Sequence, residues 1–167
     1  MAVQMLLQFD NASGINGESK KEGQDSGMGT AIDVYSWAFG MSQSGTWHTG
    51  GGGGGGIVNM QDITLTKQVD SSSCDLMARC CDGKHIPKAV LTVYKVGGTN
   101  LDYYKMTLEK VIVSSVQTSG SDGGDNVMET LSINFATISI KYKEQADDGT
   151  AKAEYEMGFD VEKNVPV

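Results

Sequence analysis

The chain has 167 residues, of which 39% are hydrophobic and 20% are charged, and its formal net charge is -8. This length and composition predict one folded domain over residues 1–167, with disorder confined to segments. The acidic balance argues against a nucleic-acid binder, which needs a basic face to displace counterions from phosphates. No apolar stretch approaches the roughly 18 residues of a membrane span, and residues 1–9 lack the basic and apolar regions of a signal peptide. We therefore expect neither membrane insertion nor export by the general secretory route.

The first quarter of the chain predicts two strands and two long loops. Residues 3–9 alternate apolar and polar side chains, which indicates a strand. Residues 10–30 are rich in Gly, Ser, Asn, Lys and acidic side chains and predict a long, polar, mobile loop. A second strand is predicted over residues 31–42, and a second long loop over residues 43–56. Loops of this length in a compact domain are usually functional or disordered.

The second strand has two chemically different faces. The large side chains, which we expect in the core, recur at every second position: Tyr35, Trp37, Phe39 and Met41. Exposing a row of aromatic side chains would create a large adhesive patch, which argues for their burial. The small side chains on the opposite face would form a smooth surface: Val34, Ser36, Ala38 and Gly40.

The rest of the chain predicts one helix among further strands. Residues 57–69 form a third strand. Residues 70–73 offer N-caps for a helix of about three turns, and Gly83 offers its C-cap. Strands follow over residues 88–96, 101–118, 127–143 and 153–161. The apolar phase slips between Leu108 and Val111, which predicts a bulge. The fold class is therefore mainly β, an antiparallel β-barrel of two packed sheets with one α-helix.

Residue types that could carry chemistry give no convincing site. The chain has an odd number of cysteines, and all three lie within eight residues: Cys74, Cys80 and Cys81. This predicts reduced thiols; a soft-metal site and a strained Cys80–Cys81 disulfide are the alternatives. The glycine run 50–56 contains the G-x-G-x-x-G spacing, but a strand follows it where a dinucleotide site requires a helix. The cluster Cys74–Cys81 with His85 is the one Cys and His set with a zinc-ligand spacing, but it lacks a second C-x-x-C, and no nucleophile elbow is present. We predict no catalytic residue, no cofactor and no metal.

Several stretches, taken in order along the chain, resemble one known family. They include Gly17-Glu18-Ser19-Lys20, Ile32-Asp33-Val34, Gly40-Met41-Ser42-Gln43-Ser44-Gly45, Gly83-Lys84-His85, Val113-Ser114-Ser115-Val116 and Asn134-Phe135-Ala136. Each stretch alone is weak evidence for a family, but together, in this order, the stretches cover the chain nearly from end to end. The chain thus resembles the haemolysin-coregulated protein family, the tube subunits of the bacterial type VI secretion system. The loop 21–30 and the three cysteines match nothing in this pattern and receive no role.

The resemblance implies an assembly and its partners. Six copies would close into a ring, and rings would stack into a hollow tube that carries small effector proteins in its lumen. A contractile sheath would drive the tube, and a spike protein of the valine-glycine-repeat family would cap it. The subunit would be cytoplasmic before firing and then secreted outside the cell or into a target cell. No fused toxin domain is expected after Val167.

Two surfaces are expected to serve this assembly. In the family the second strand borders the channel, so the small face of Val34, Ser36, Ala38 and Gly40 is expected to face the lumen. From its length, its glycines and its Trp47, the loop with Ser44, Trp47, His48 and Gly50 is in turn expected to contact the next ring when rings stack. Two other functions stay open on the sequence alone. One is a phage tail-tube subunit, and the other is a monomeric ligand-binding β-barrel, which would need a hollow interior.

Overall fold

A computed structural model of the chain describes residues 2–48, 54–97 and 100–167. The strands are β1 (Ala2–Phe9), β2 (Ile32–Val34), β3 (Ser36–Ala38), β4 (Met41–Ser42), β5 (Asn59–Met60), β6 (Ile63–Gln68), β7 (Ile86–Val96), β8 (Leu101–Ser119), β9 (Met128–Asn134), β10 (Thr137–Gln145), β11 (Ala151–Asp160) and β12 (Val165–Pro166). Helix α1 (Ser73–Asp82) lies between β6 and β7, and a short 3-10 helix covers Asn11–Ser13. The predicted mainly β fold is confirmed. Three predicted strands, over residues 31–42, 57–69 and 127–143, are each divided into shorter ones.

The strands close into a barrel through antiparallel pairs. β8 pairs with β7, β7 with β1, and β1 with β2. On the other side β3 pairs with β6, β6 with β9, and β9 with β8. Tyr35 joins β2 to β3, and its backbone N–H donates to the Thr66 carbonyl at 2.8 Å, which connects the two halves. Strands β10, β11 and β12 then extend outward from the first half of β8.

The long strand β8 changes partner at its middle. It pairs with β10 up to Glu109 and with β9 from Ile112 onward. Lys110 lies between these two regions with φ at 51°, in the left-handed region that residues other than glycine rarely adopt. Because Glu109 and Lys110 are both exposed, burial moves from Leu108 to Val111. The change of buried face between Leu108 and Val111 agrees with the predicted slip, but the predicted bulge is not there: β8 keeps one register with β7 from Glu109 to Val111, and its register shift against β9 lies between Val113 and Ser115.

Helix α1 begins and ends where the sequence predicts. The Asp70 carboxylate accepts a hydrogen bond from the Ser72 N–H at 2.9 Å just before the first turn. Gly83 ends the helix with φ at 64°, and its N–H donates to the Arg79 carbonyl at 3.0 Å. Leu76, which is fully buried, anchors the helix in the main apolar cluster of the barrel. The helix thereby packs against the barrel and contacts β8.

The loop over residues 10–30 is held against the barrel by side chains, so the prediction of a mobile loop is wrong. The Gln8 amide on β1 donates to the Gly29 carbonyl at 3.1 Å and accepts from the Asp25 N–H at 3.2 Å. Asp25 also forms an ion pair with Lys105 on β8 at 2.8 Å. These contacts lie on the outer face of β1, β7 and β8. The loop therefore covers the sheet face that points away from the barrel interior.

Gly17 is required by the path of this loop. Its N–H donates to the Thr30 carbonyl at 2.9 Å, and the chain runs beside Ala31. A Cβ atom at residue 17 would lie 2.3 Å from the Ala31 carbonyl oxygen, closer than any side chain permits. Any other residue would push the loop away from β2.

Candidate functional site

In the predicted second strand, residues 31–42, buried and exposed side chains do not alternate in one continuous pattern. Val34 is buried at 5% exposure and Tyr35 is 51% exposed, the reverse of the predicted faces. The reason is that Tyr35 is the connecting residue at which the chain leaves β1 and joins β6. Ile32 and Val34 point inward before it, and Trp37 and Phe39 pack on the core after it. The assignment of Val34 to an exposed small face is therefore corrected.

Ser36 and Ala38 remain on an exposed face, as the alternation predicts. Gly40 is half-buried and lies beyond the end of β3, where its carbonyl accepts from the Gln61 N–H at 3.0 Å. A Cβ atom at Gly40 would lie 2.9 Å from the Gln61 side-chain oxygen. Of the predicted small face, Ser36 and Ala38 form its open part.

Strand pairing extends this face over neighbouring strands. Ser36 is opposite Thr66, which is opposite Thr130 on β9. Ala38 is opposite Thr64, which is opposite Ser132. Residues opposite each other in antiparallel strands share a face. We call this surface the hydroxyl-rich face; it consists of Ser36, Ala38, Thr64, Thr66, Thr130 and Ser132.

The back of the hydroxyl-rich face is the barrel core. Leu65 and Leu131, which alternate with the threonines and serines, are 1% and 0% exposed. Trp37 on β3 stacks on Tyr104 with the ring centroids 5.3 Å apart. Apolar side chains thus hold the short β3 strand in place, while its outer side presents Ser36 and Ala38.

The chemistry of this face is limited to hydrogen bonding. Its side chains are hydroxyls and a methyl group, and none of them titrates near neutral pH. A Ser or Thr hydroxyl needs an adjacent base to act as a nucleophile, and the face itself contains none. In the described ranges there is also no group of three or more His, Cys, Asp or Glu residues arranged to bind a metal ion. The surface can form weak hydrogen bonds with polar groups of another molecule, but it has no reaction centre of its own.

The predicted stacking loop projects from the barrel. Met41 and Met60 pair at its base, and Gly45 pairs with Gly55 further out. Trp47 is 83% exposed, more than any other large apolar side chain among the described residues. Ser44 and His48 are also exposed, and Gly50 lies outside the described residues. This segment therefore presents an unburied indole ring far from the core.

The sequence did not identify Thr130 and Ser132 as part of this surface. Both follow from the pairing of β9 with β6, which no local pattern reveals. Thr64 and Thr66 alternate with buried residues, so their outward direction is visible in the sequence, but their place beside Ser36 and Ala38 is not.

The fold is a closed antiparallel β-barrel with a packed interior, one helix against it and an extended hydroxyl-rich outer face. A family model described as "Type VI secretion system effector, Hcp" matches residues 7–142. The Hcp1 protein of Pseudomonas aeruginosa is 42% identical over 167 residues, with 99% of each chain covered. The solved structure of Hcp1 from Salmonella typhimurium aligns with a TM-score of 0.76 at 27% identity, covering 100% of both chains. A structure described as a type six secretion system protein aligns with a TM-score of 0.90 at 24% identity over 99% of this chain and 100% of its own.

The chain belongs to the Hcp family of the type VI secretion system, which confirms the resemblance drawn from the sequence. It is a structural subunit of the secretion tube and not an enzyme, and the family supports a homohexameric ring as its assembly. Proteins of this family are secreted by that system. Among the described residues no helix has the length and apolarity needed to cross a membrane.

Proposed function

We propose that residues 1–167 act as one tube domain, and that six copies close into a ring with the hydroxyl-rich face lining the bore. The observation that carries this proposal is the pairing of β3, β6 and β9, which joins Ser36 and Ala38 to a broad surface of short, uncharged side chains. Such a surface gives a passing protein neither a charge to pair with nor a large apolar patch to bury. Small effector proteins therefore bind the bore weakly enough to be released.

The barrel interior supports a wall in preference to a ligand-binding cavity. The side chains that point inward form one packed cluster that includes Phe9, Leu65, Met106 and Phe135. A monomeric ligand-binding barrel needs an empty centre. The ordered match to the secretion family likewise favours a secretion tube over a phage tail tube.

Rings stack through the loop that carries Ser44, Trp47 and His48, together with Gly50 of the glycine run. The support is the exposure of Trp47 on a projecting segment, since an indole ring of this size gains most when a partner covers it. Ordering a glycine-rich segment is entropically unfavourable, so stacking is weak in solution. The spike of the valine-glycine-repeat family and the contractile sheath then supply the template on which rings add.

The direction of the hydroxyl-rich face can be tested by labelling. In a background with Cys74, Cys80 and Cys81 replaced by Ser, Ala38→Cys is coupled to a bulky maleimide and imaged in negative stain. The expected result is density within the central hole of the ring. Ala78→Cys on the exposed face of α1 is the matched control, and its label should lie elsewhere. Label from residue 38 on the outer rim would contradict the proposal.

Cargo provides a second readout for the same surface. Ala38→Gln adds one bulky polar group to each subunit, and therefore six such groups at one level of the bore of a six-membered ring. The substitution changes no core volume, so rings should persist while export of lumen effectors falls. Mass spectrometry of culture supernatants measures this export, with Ala78→Gln as the control. Unchanged export with Ala38→Gln would show that residue 38 does not face cargo.

A further inference from the structure

The hairpin formed by β10 and β11 carries an apolar face that leaves the core and becomes exposed. Ile140 is opposite Met157, and Tyr142 is opposite Tyr155, on the same face as the buried Ile138. Met157, Tyr142 and Tyr155 are 37%, 42% and 59% exposed, whereas Ile138 is 0% exposed. We call Ile140, Tyr142, Tyr155 and Met157 the hairpin patch.

The hairpin patch is held rigidly by a row of aromatic rings that begins in the barrel. Trp37 stacks on Tyr104 with centroids 5.3 Å apart, and Tyr104 is opposite Tyr142 across β8 and β10. Tyr142 in turn stacks on Tyr155 with centroids 6.3 Å apart. The exposed end of the row is therefore fixed in position before any partner arrives, which reduces the entropy lost on binding.

The edge of the sheet next to this patch is open. Among the described residues, β12 pairs with β11 only at Phe159 and Asp160, and the Val167 N–H donates to the Gly158 carbonyl at 3.1 Å. Over the described part of the chain, the rest of β11 pairs with β10 on one side and with no strand on the other. An open edge beside exposed apolar side chains is a site for association with another chain.

The reverse face of the hairpin is charged and internally compensated. Lys143 pairs with Asp102 at 2.9 Å, and Lys141 lies 3.7 Å from both Glu154 and Glu156. These side chains suit contact with water. The apolar face and the open edge are thus the parts of the hairpin whose burial by a partner is energetically favourable.

We infer that the hairpin patch and the open edge of β11 form one side of the contact between neighbouring subunits in the ring. This inference rests on the proposed ring. Each copy carries a formal charge of -8, so copies repel one another and their contact needs apolar area free of acids. The hairpin patch has no charged side chain. A contact within a closed ring repeats head to tail, so a neighbouring copy would cover the patch on every subunit.

Two methionines of equal exposure make a matched test. Met157 in the hairpin patch is 37% exposed, and Met77 on α1 is 36% exposed. The mass in solution of Met157→Glu and Met77→Glu is measured by light scattering over a dilution series, with circular dichroism to check the fold. Met157→Glu should dissociate at a protein concentration at least about tenfold higher than the parent, while Met77→Glu should remain like the parent.

Tyr155→Ser keeps the test decisive if Met157→Glu does not fold, because Tyr155 is the most exposed member of the patch. It should weaken the ring in the same direction. Rings of parental stability in both folded hairpin variants would overturn the assignment of this surface while leaving the ring itself in place. A monomeric parent would instead overturn the ring, and with it the contact; the parent sample distinguishes the two failures.

Discussion

Lys67 and Glu129 form an ion pair in the interior, with Nζ 2.8 Å from Oε2 and side-chain exposures of 1% and 0%. Ser73, at the start of α1, donates to the same Glu129 oxygen at 2.7 Å. Lys67 also donates to Asp70 at 3.0 Å. The network joins β6, β9 and the helix, and it lies beneath the sheet that carries the hydroxyl-rich face. It therefore fixes the helix to the wall.

We predict that breaking this pair strongly destabilises the subunit. Lys67→Met leaves the buried Glu129 carboxylate without its cation and should lower the free energy of unfolding by about 3–5 kcal/mol. Glu129→Gln should cost less, because Lys67 keeps its ion pair with Asp70. Urea denaturation at fixed protein concentration measures the loss. The double variant Lys67→Met/Glu129→Leu removes both charges and should recover much of the stability. A loss below about 1 kcal/mol in both single variants would contradict a paired, buried network.

Alkaline stability should depend on Tyr94. Burial raises the pKa of Tyr94 above its usual value, and the carboxylates of Asp25 and Asp102 raise it further. The folded chain therefore holds the phenolic proton more tightly than the unfolded chain. The contribution of Tyr94 to the free energy of unfolding is complete below the unfolded pKa of about 10 and is lost as pH rises through the folded pKa. Tyr94→Phe should lose less stability than the parent above that pH in urea titrations; parallel curves would refute this role.

The three cysteines should be dispensable for assembly. Cys74 and Cys81 are exposed free thiols, and Cys80 is half-buried against the core. Replacing all three with Ser should retain the ring at a loss of about 1–3 kcal/mol, chiefly from Cys80. Light scattering and thermal unfolding report the two effects. Loss of the ring, together with a disulfide or bound metal found in the parent, would show that the thiols are structural.

Shortening the glycine run 50–56 should separate ring formation from stacking. The run follows Trp47 in the loop that we propose contacts the next ring. A variant that lacks several of these glycines should still form rings but should form fewer tubes and be secreted less. Deletion of Gly123 and Gly124 from the loop between β8 and β9 is the control. Normal secretion of the variant with the shortened run would remove the stacking role from this loop.

Local sequence patterns predicted the elements whose geometry is set locally. Gly83 ends α1 because a left-handed residue is needed there, and glycine is the residue that adopts it without strain. The change of buried face in β8 was also predictable, because the apolar positions shift in the sequence between Leu108 and Val111. In both places the determining interaction lies within a few residues.

Long-range pairing explains what the sequence missed. Val34 was placed on the wrong face because the exchange of partners at Tyr35 depends on β1 and β6, which lie elsewhere in the chain. The loop over residues 10–30 was expected to be mobile because its anchors are single side chains such as Gln8 and Lys105. Thr130 and Ser132 join the hydroxyl-rich face only through the register of β9.

The mass of the purified protein in solution tests the central claim most directly. Size-exclusion chromatography coupled to light scattering should give six times the 17.8 kDa mass of the chain at micromolar concentration. Rings with a central hole in negative-stain images of the same sample would agree with it. A monomer of 17.8 kDa under those conditions would contradict the ring, the bore and the subunit contact together.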